Sequence, residues 1–177
     1  HPKKCTVRIV DVKTEEAPEY SVHIAIAPTK MNERMEWFLE KATELGVTEI
    51  TLLLTKNSER KEVKLERFEK ILIAAMKQSK RMFLPKLNGL TKVEDFMQQH
   101  PNGLIAECYE GEKSTIDTVF TMQNCPILIG PEGDFTPEEV LVAHKNGYKS
   151  ITLGKNRLRT ETAGLFAVMQ GVLKVGK

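Results

Sequence analysis

Short runs that are apolar on both faces alternate along this chain with segments whose apolar residues recur at helical spacing, and that alternation restricts the fold more than any other feature. The runs are "YSVHIAIAP", "VTEITLLLT", "GLIAECY", "CPILIG" and "SITLG". A strand apolar on both sides must be covered on both sides, which parallel sheets achieve through helical crossovers. After the first run, "NERMEWFLEKATELG" places Met35, Phe38, Leu39, Ala42 and Leu45 on one helical face, with Asn32 as N-cap and Gly46 as the stop. "KLERFEKILIAAMKQSKR" repeats the pattern with Leu65, Phe68, Ile71, Leu72, Ala75 and Met76. A short helix near 93–98, a further loop or short helix before "CPILIG", a helix from Pro137 and a last one from about Glu161 to Lys174 complete the series. The expected class is therefore α/β, a mostly parallel sheet flanked by helices. Ahead of it, "CTVRIVDV" at 5–12 predicts another strand, set apart by the polar link "TEEAPE".

No run approaches the roughly eighteen apolar residues of a membrane span, and "HPKKCTVRIV" lacks the apolar centre of a signal peptide. A cytoplasmic protein is expected. The three cysteines are widely spaced and outside any CxxC, and the four histidines show no ligand spacing, so neither a disulfide framework nor a metal site is indicated. Buried, reduced thiols are the expectation. Charge is uneven: from Lys56 to Lys86 there are ten Lys or Arg against four Glu, while the rest of the chain is net acidic. A basic segment on an acidic body suits a phosphate-rich partner, although a solvated helix face with pairs such as Glu66 to Lys70 would give the same composition.

Two glycine-bearing loops follow strands late in the chain. Neither "GPEGDFTPEE" nor "LGKNRLRTETAG" satisfies a Walker A sequence or a GxGxxG dinucleotide fingerprint. In the first, Gly130 and Gly133 permit close main-chain approach, and Thr136-Pro137-Glu138-Glu139 is a capping box with proline at the first helical position. The second gathers Lys155, Arg157 and Arg159 before a helix N-terminus, a combination that attracts carboxylate or phosphate. In parallel sheets ligands bind at the carboxyl ends of strands, so both loops compete for one site or share it. Gly164 and Gly171 lie on one face of the last helix, for close packing within the chain or between subunits.

Together "KATELGVTEI", "SER" at 58–60, "AAMKQSKR", "ILIGPEGDFTPEEV" and "LGKNRLRTETAGLFAV" resemble the ribosomal small-subunit methyltransferase E family of the SPOUT superfamily, in the family's order from about Lys41 to Met169. The resemblance implies a C-terminal trefoil knot, S-adenosylmethionine bound there in a bent form, and a homodimer with active sites at its interface. It also implies methylation of N3 of one uridine in 16S ribosomal RNA, free or within the small subunit. Carried over by position, the main chain around Leu128, Gly130, Glu132 and Gly133, with Leu153, Gly154, Leu158, Arg159 and Ala163, surrounds the cofactor. Residues 1–17 correspond to the remnant of an N-terminal PUA-like RNA-binding domain and its linker, and 18–177 to the methyltransferase domain. Asp134 departs from the family, which commonly has a second glycine or another residue there.

Uracil N3 bears a proton and is a poor nucleophile while neutral, so the site must assist its removal and stabilise the charge left behind. Arg81 is assigned as a cation near the base, Arg60 and Lys80 to phosphates, and Arg159 to the cofactor or the base. Glu132, Glu161, a water molecule or simple ionisation near a cation stand as alternatives for the proton acceptor. Two rival readings remain at this point, a SPOUT enzyme with another nucleotide target and a nonenzymatic ribosome-assembly factor gripping RNA through the basic segment.

Overall fold

A computed structural model of the chain describes residues 4–14, 16, 18–121 and 125–175. The apolar runs become strands and the periodic segments become helices: β1 (His23–Ile26), α1 (Asn32–Leu45), β2 (Glu49–Leu54), α2 (Leu65–Gln78), β3 (Lys86–Lys92), α3 (Val93–Gln99), β4 (Leu104–Ala106), α4 (Ile116–Val119), β5 (Ile127–Ile129), α5 (Pro137–Lys145), β6 (Lys149–Ile151) and α6 (Thr160–Val175). The sheet order is β3-β2-β1-β5-β4-β6, and every pairing is parallel. The side chains explain the two-faced apolar pattern. Ile24, Ile26, Ile50, Leu52, Ile127 and Ile129 face α1, α2, α4 and α6, whereas Ala25, Leu53, Ile105 and Leu128 face α3 and α5.

Both glycines of α6 serve internal packing. A Cβ on Gly164 would stand 2.7 Å from the Phe38 ring and 2.9 Å from Ile26, and one on Gly171 would meet Val22 at 3.2 Å. Helix α6 thus lies directly on β1 and α1, and its first turn is carried to the carboxyl ends of the strands. Among the described residues no helix is long and apolar enough to cross a membrane.

Several sequence expectations are corrected. Residues 5–12 form no strand, and among the described residues no strand pairs with them; Val7, Ile9, Val10 and Val12 are 71–91% exposed. The N-cap of α1 is Met31 and makes no side-chain cap, so Asn32 is already helical, whereas Gly46 ends the helix as expected in a left-handed conformation. Leu45 is half-exposed. Only Cys125 is buried; Cys5 and Cys108 are exposed. Strand β3, "KLNGLTK", is new: it is an edge strand in which only Leu87 and Leu90 pack on the core, and a register shift opposite Thr51/Leu52 leaves Gly89 unpaired.

At the amino end of the sheet the buried His23 packs against Phe96 and the exposed His100. The His23 ring shares a hydrogen bond with the Thr51 hydroxyl at 2.8 Å and meets Phe96 and His100 edge-on at 5.4 and 5.5 Å. Burial, partly offset by Glu49 and reinforced by His100 and Lys86, lowers its pKa from 6.5 to about 4. The unfolded chain then binds a proton that the folded chain refuses between those values, so stability is full above pH 6.5 and falls as pH drops towards 4. Urea unfolding at pH 4.5 should show a loss of about 2 to 3 kcal/mol relative to pH 7 that a His23→Gln variant lacks; equal slopes in both proteins would contradict the assignment.

Candidate active site

The carboxyl ends of β4, β5 and β6 surround a cavity of about 660 Å³, within the roughly 300–1,000 Å³ typical of small-molecule sites. One wall is the turn after β5, with Gly130, Pro131, Glu132 and Asp134; another is the long loop from Thr152 to Arg159 after β6; the end of β4 supplies Glu107 and Cys108. Ile129, Ile151, Leu153, Leu158 and Ala163 give apolar surface, and Lys155, Arg157 and Arg159 stand exposed on the loop. The two glycine-bearing loops therefore share one site. Thr160, at the start of α6, joins them by donating its hydroxyl proton to the Gly130 carbonyl at 3.1 Å. Gly154 adopts φ +119°, a conformation that favours glycine.

The turn after β5 is braced by residues distant in sequence. Glu139 is 3% exposed. Its Oε2 accepts the Thr136 N–H at 2.7 Å, completing the predicted capping box, while its Oε1 accepts the Lys56 N–H from the loop after β2 at 2.8 Å. From that same loop the Asn57 amide donates to the carbonyls of Gly133 and Asp134 at 3.1 and 3.0 Å. Glu132 accepts the Lys30 N–H at 3.2 Å. Lys56, Asn57 and Glu139 were not legible as a brace, since contacts 76 to 83 residues apart leave no local signal; only the capping half of Glu139's role is a sequence pattern.

The expected cofactor residues divide accordingly. Gly130, Glu132, Leu153, Gly154, Leu158, Arg159 and Ala163 line the cavity. The Leu128 side chain is buried in the opposite layer among α3 and α5 residues, and Gly133 sits behind the turn, where a Cβ would touch Asn57 at 3.2 Å. Arg60 is engaged within the chain, donating from Nε to the Thr29 carbonyl at 3.0 Å and from Nη2 to that of Lys30. It holds the loop after β1 in place. Lys80 is exposed, with φ +57°, beyond α2. Arg81 lies at the other end of the sheet: its guanidinium covers the Gly46 turn, beside the α1 carbonyl terminus, where a cation complements the helix dipole. A six-residue parallel strand spans about 20 Å, so Arg81 is remote from the cavity of its own chain.

Of the carboxylates weighed as proton acceptors, Glu132 lines the cavity. Glu161 is buried against α1, with Oε1 3.7 Å from Arg34 Nε.

Residues 15–170 match the RNA methyltransferase domain family. The chain is 38% identical over 166 residues to the ribosomal RNA small subunit methyltransferase E of Mesomycoplasma hyopneumoniae, covering 89% of this chain and 72% of that protein. The chain belongs to this family. A solved ribosomal RNA small subunit methyltransferase E from Neisseria gonorrhoeae, bound to S-adenosyl methionine, is similar at 27% identity with a TM-score of 0.78, covering 87% of this chain and 66% of that one. A SpoU methyltransferase from Streptomyces viridochromogenes shares the fold alone, at 12% identity and a TM-score of 0.58 over 89% of this chain and 62% of that one. Membership in the methyltransferase E family accounts for the order of the motifs, and the all-parallel sheet flanked by helices is the SPOUT-type class that the motifs imply.

Proposed function

We propose that this chain transfers a methyl group from S-adenosylmethionine to N3 of a uridine in 16S ribosomal RNA, acting in the cytoplasm as a homodimer. The observation that carries the proposal is the convergence of both glycine-bearing loops on one cavity in a member of this family. The residues fit the cofactor. Apolar side chains and open main chain suit an adenosyl group, and the cations of the second loop suit an amino acid carboxylate. Main chain around Gly130, Leu153 and Gly154 would hold the nucleoside, and Lys155, Arg157 or Arg159 the carboxylate. When bound, the cofactor supplies an electrophilic methyl on a sulfonium. This chain's own contribution is to orient the base, exclude water and accept the N3 proton, and of Glu132 and Glu161, the carboxylates weighed for that last role, Glu132 is the one that lines the cavity.

The exposed Arg67, Lys70 and Lys77 on α2, with Lys61, Lys64 and Lys80 in the segments that flank it, support an RNA surface there. Arg60 contributes by fixing the loop after β1. A catalytic role for Arg81 requires a second copy to bring it to this cavity. Exposed Trp37 on α1 and exposed Met169 and Leu173 on α6 support a subunit interface on that face. The knot belongs to the same reading, supported by the seating of α6 on β1 and its bond to the Gly130 turn. Residues 1–17 are assigned to the RNA-binding appendage, and the exposed valines and isoleucine of 7–12 support a segment that packs elsewhere.

Incubating the protein with methyl-labelled cofactor and small ribosomal subunits, followed by nucleoside digestion, should yield N3-methyluridine as the labelled product; a different methylated nucleoside would overturn the target. Arg81→Ala should lower turnover at saturating RNA by about a hundredfold if a partner's Arg81 stabilises the transition state, and full turnover would remove it from catalysis.

A further inference from the structure

Asp134 is a residue of the glycine turn that is not itself glycine, and its surroundings show what its side chain does. Its backbone is left-handed at φ +62°, a conformation that glycine adopts without strain and that aspartate tolerates better than most residues. If the turn needed only its shape, glycine would serve better. The carboxylate is what glycine lacks. Its Oδ1 accepts the Phe135 N–H at 2.8 Å, and its Oδ2 accepts the Cys108 N–H at 2.9 Å from the end of β4. The Asp134 carbonyl meanwhile receives the Asn57 amide. One residue thus links the ends of three strands, and both Asp134 and Cys108 line the cavity.

We propose that Asp134 is a positioning residue for this cavity, its carboxylate holding the end of β4 against the glycine turn in the arrangement that receives the cofactor. The proposal rests on the cofactor reading above. It separates affinity from stability, because Asp134→Gly removes the carboxylate while relieving the left-handed strain. The link also has a chemical signature. Partial burial, then the charge and hydrogen bond of Asp134, push the Cys108 thiol pKa up, while Arg157 and Lys113 act in the other direction. Without the carboxylate, Cys108 should form thiolate more readily.

The test is calorimetric titration of S-adenosylhomocysteine into wild type, Asp134→Gly and Asp134→Asn, with thermal unfolding of each. Asp134→Gly should melt close to the wild-type temperature, because relief of the left-handed backbone offsets the loss of one exposed and one half-buried bond, yet bind about tenfold more weakly, the size expected for losing hydrogen bonds to a charged group. Asn keeps one acceptor oxygen and tolerates the left-handed turn, so Asp134→Asn should recover part of the affinity. Iodoacetamide labelling of Cys108, followed by peptide mass spectrometry at pH 8, should proceed faster in Asp134→Gly. Wild-type affinity in Asp134→Gly would overturn the proposal alone. Unchanged Cys108 labelling would overturn the link to β4. Failure of folded wild-type protein to bind would overturn the cofactor reading, and the proposal with it.

Discussion

Replacing Gly164 with valine is expected to destabilise the protein by about 3 kcal/mol or more and to abolish cofactor binding together with the packing. The added Cβ would stand 2.7 Å from the Phe38 ring and 2.9 Å from Ile26, both fully buried, so neither neighbour has space to withdraw. Interiors at crystal-like density transmit such a strain into displacement of the whole element. Here the element is α6, whose Thr160 is bonded to the Gly130 carbonyl and whose Ala163 lines the cavity. Urea unfolding measures the first effect. Calorimetry with S-adenosylhomocysteine on material still folded at low temperature measures the second. A variant as stable as wild type would show that α6 is not packed as described.

Glu139→Ala should cost about 2 to 4 kcal/mol, because it leaves the buried Thr136 N–H and the half-buried Lys56 N–H without their shared acceptor. An ordinary N-terminal cap is worth about 1 kcal/mol, so a loss confined to that size would mean that the Lys56 contact contributes nothing. Glu139→Gln retains one acceptor oxygen and should lose roughly half as much. The loop after β2 braces the glycine turn through this carboxylate and through Asn57, so cofactor affinity should fall along with stability.

The fold was legible where burial makes a pattern. Ile24 to Ile26 and Ile127 to Ile129 are covered on both faces, and their uninterrupted apolarity says so. The edge strand β3, mostly polar, carries no such pattern, and residues 5–12 carry strand composition without a strand to pair with among the described residues. Propensity describes a segment, whereas a strand is a relation between two segments. The site shows the same division. Glycines, the capping box and the three cations were visible in sequence, and the two loops do meet. Their bracing was not visible, and neither was the end of the sheet at which a cation stands: Arg60 and Arg81 have the charge expected of RNA ligands, yet one holds a loop and the other covers the end of α1.

The central claim is that the cavity between the two loops receives the cofactor, and titration calorimetry with S-adenosylhomocysteine tests it most directly. Saturable binding at one site per chain, weakened by Glu139→Ala, is the predicted result. Absence of saturable binding by a sample shown to be folded by circular dichroism would contradict it.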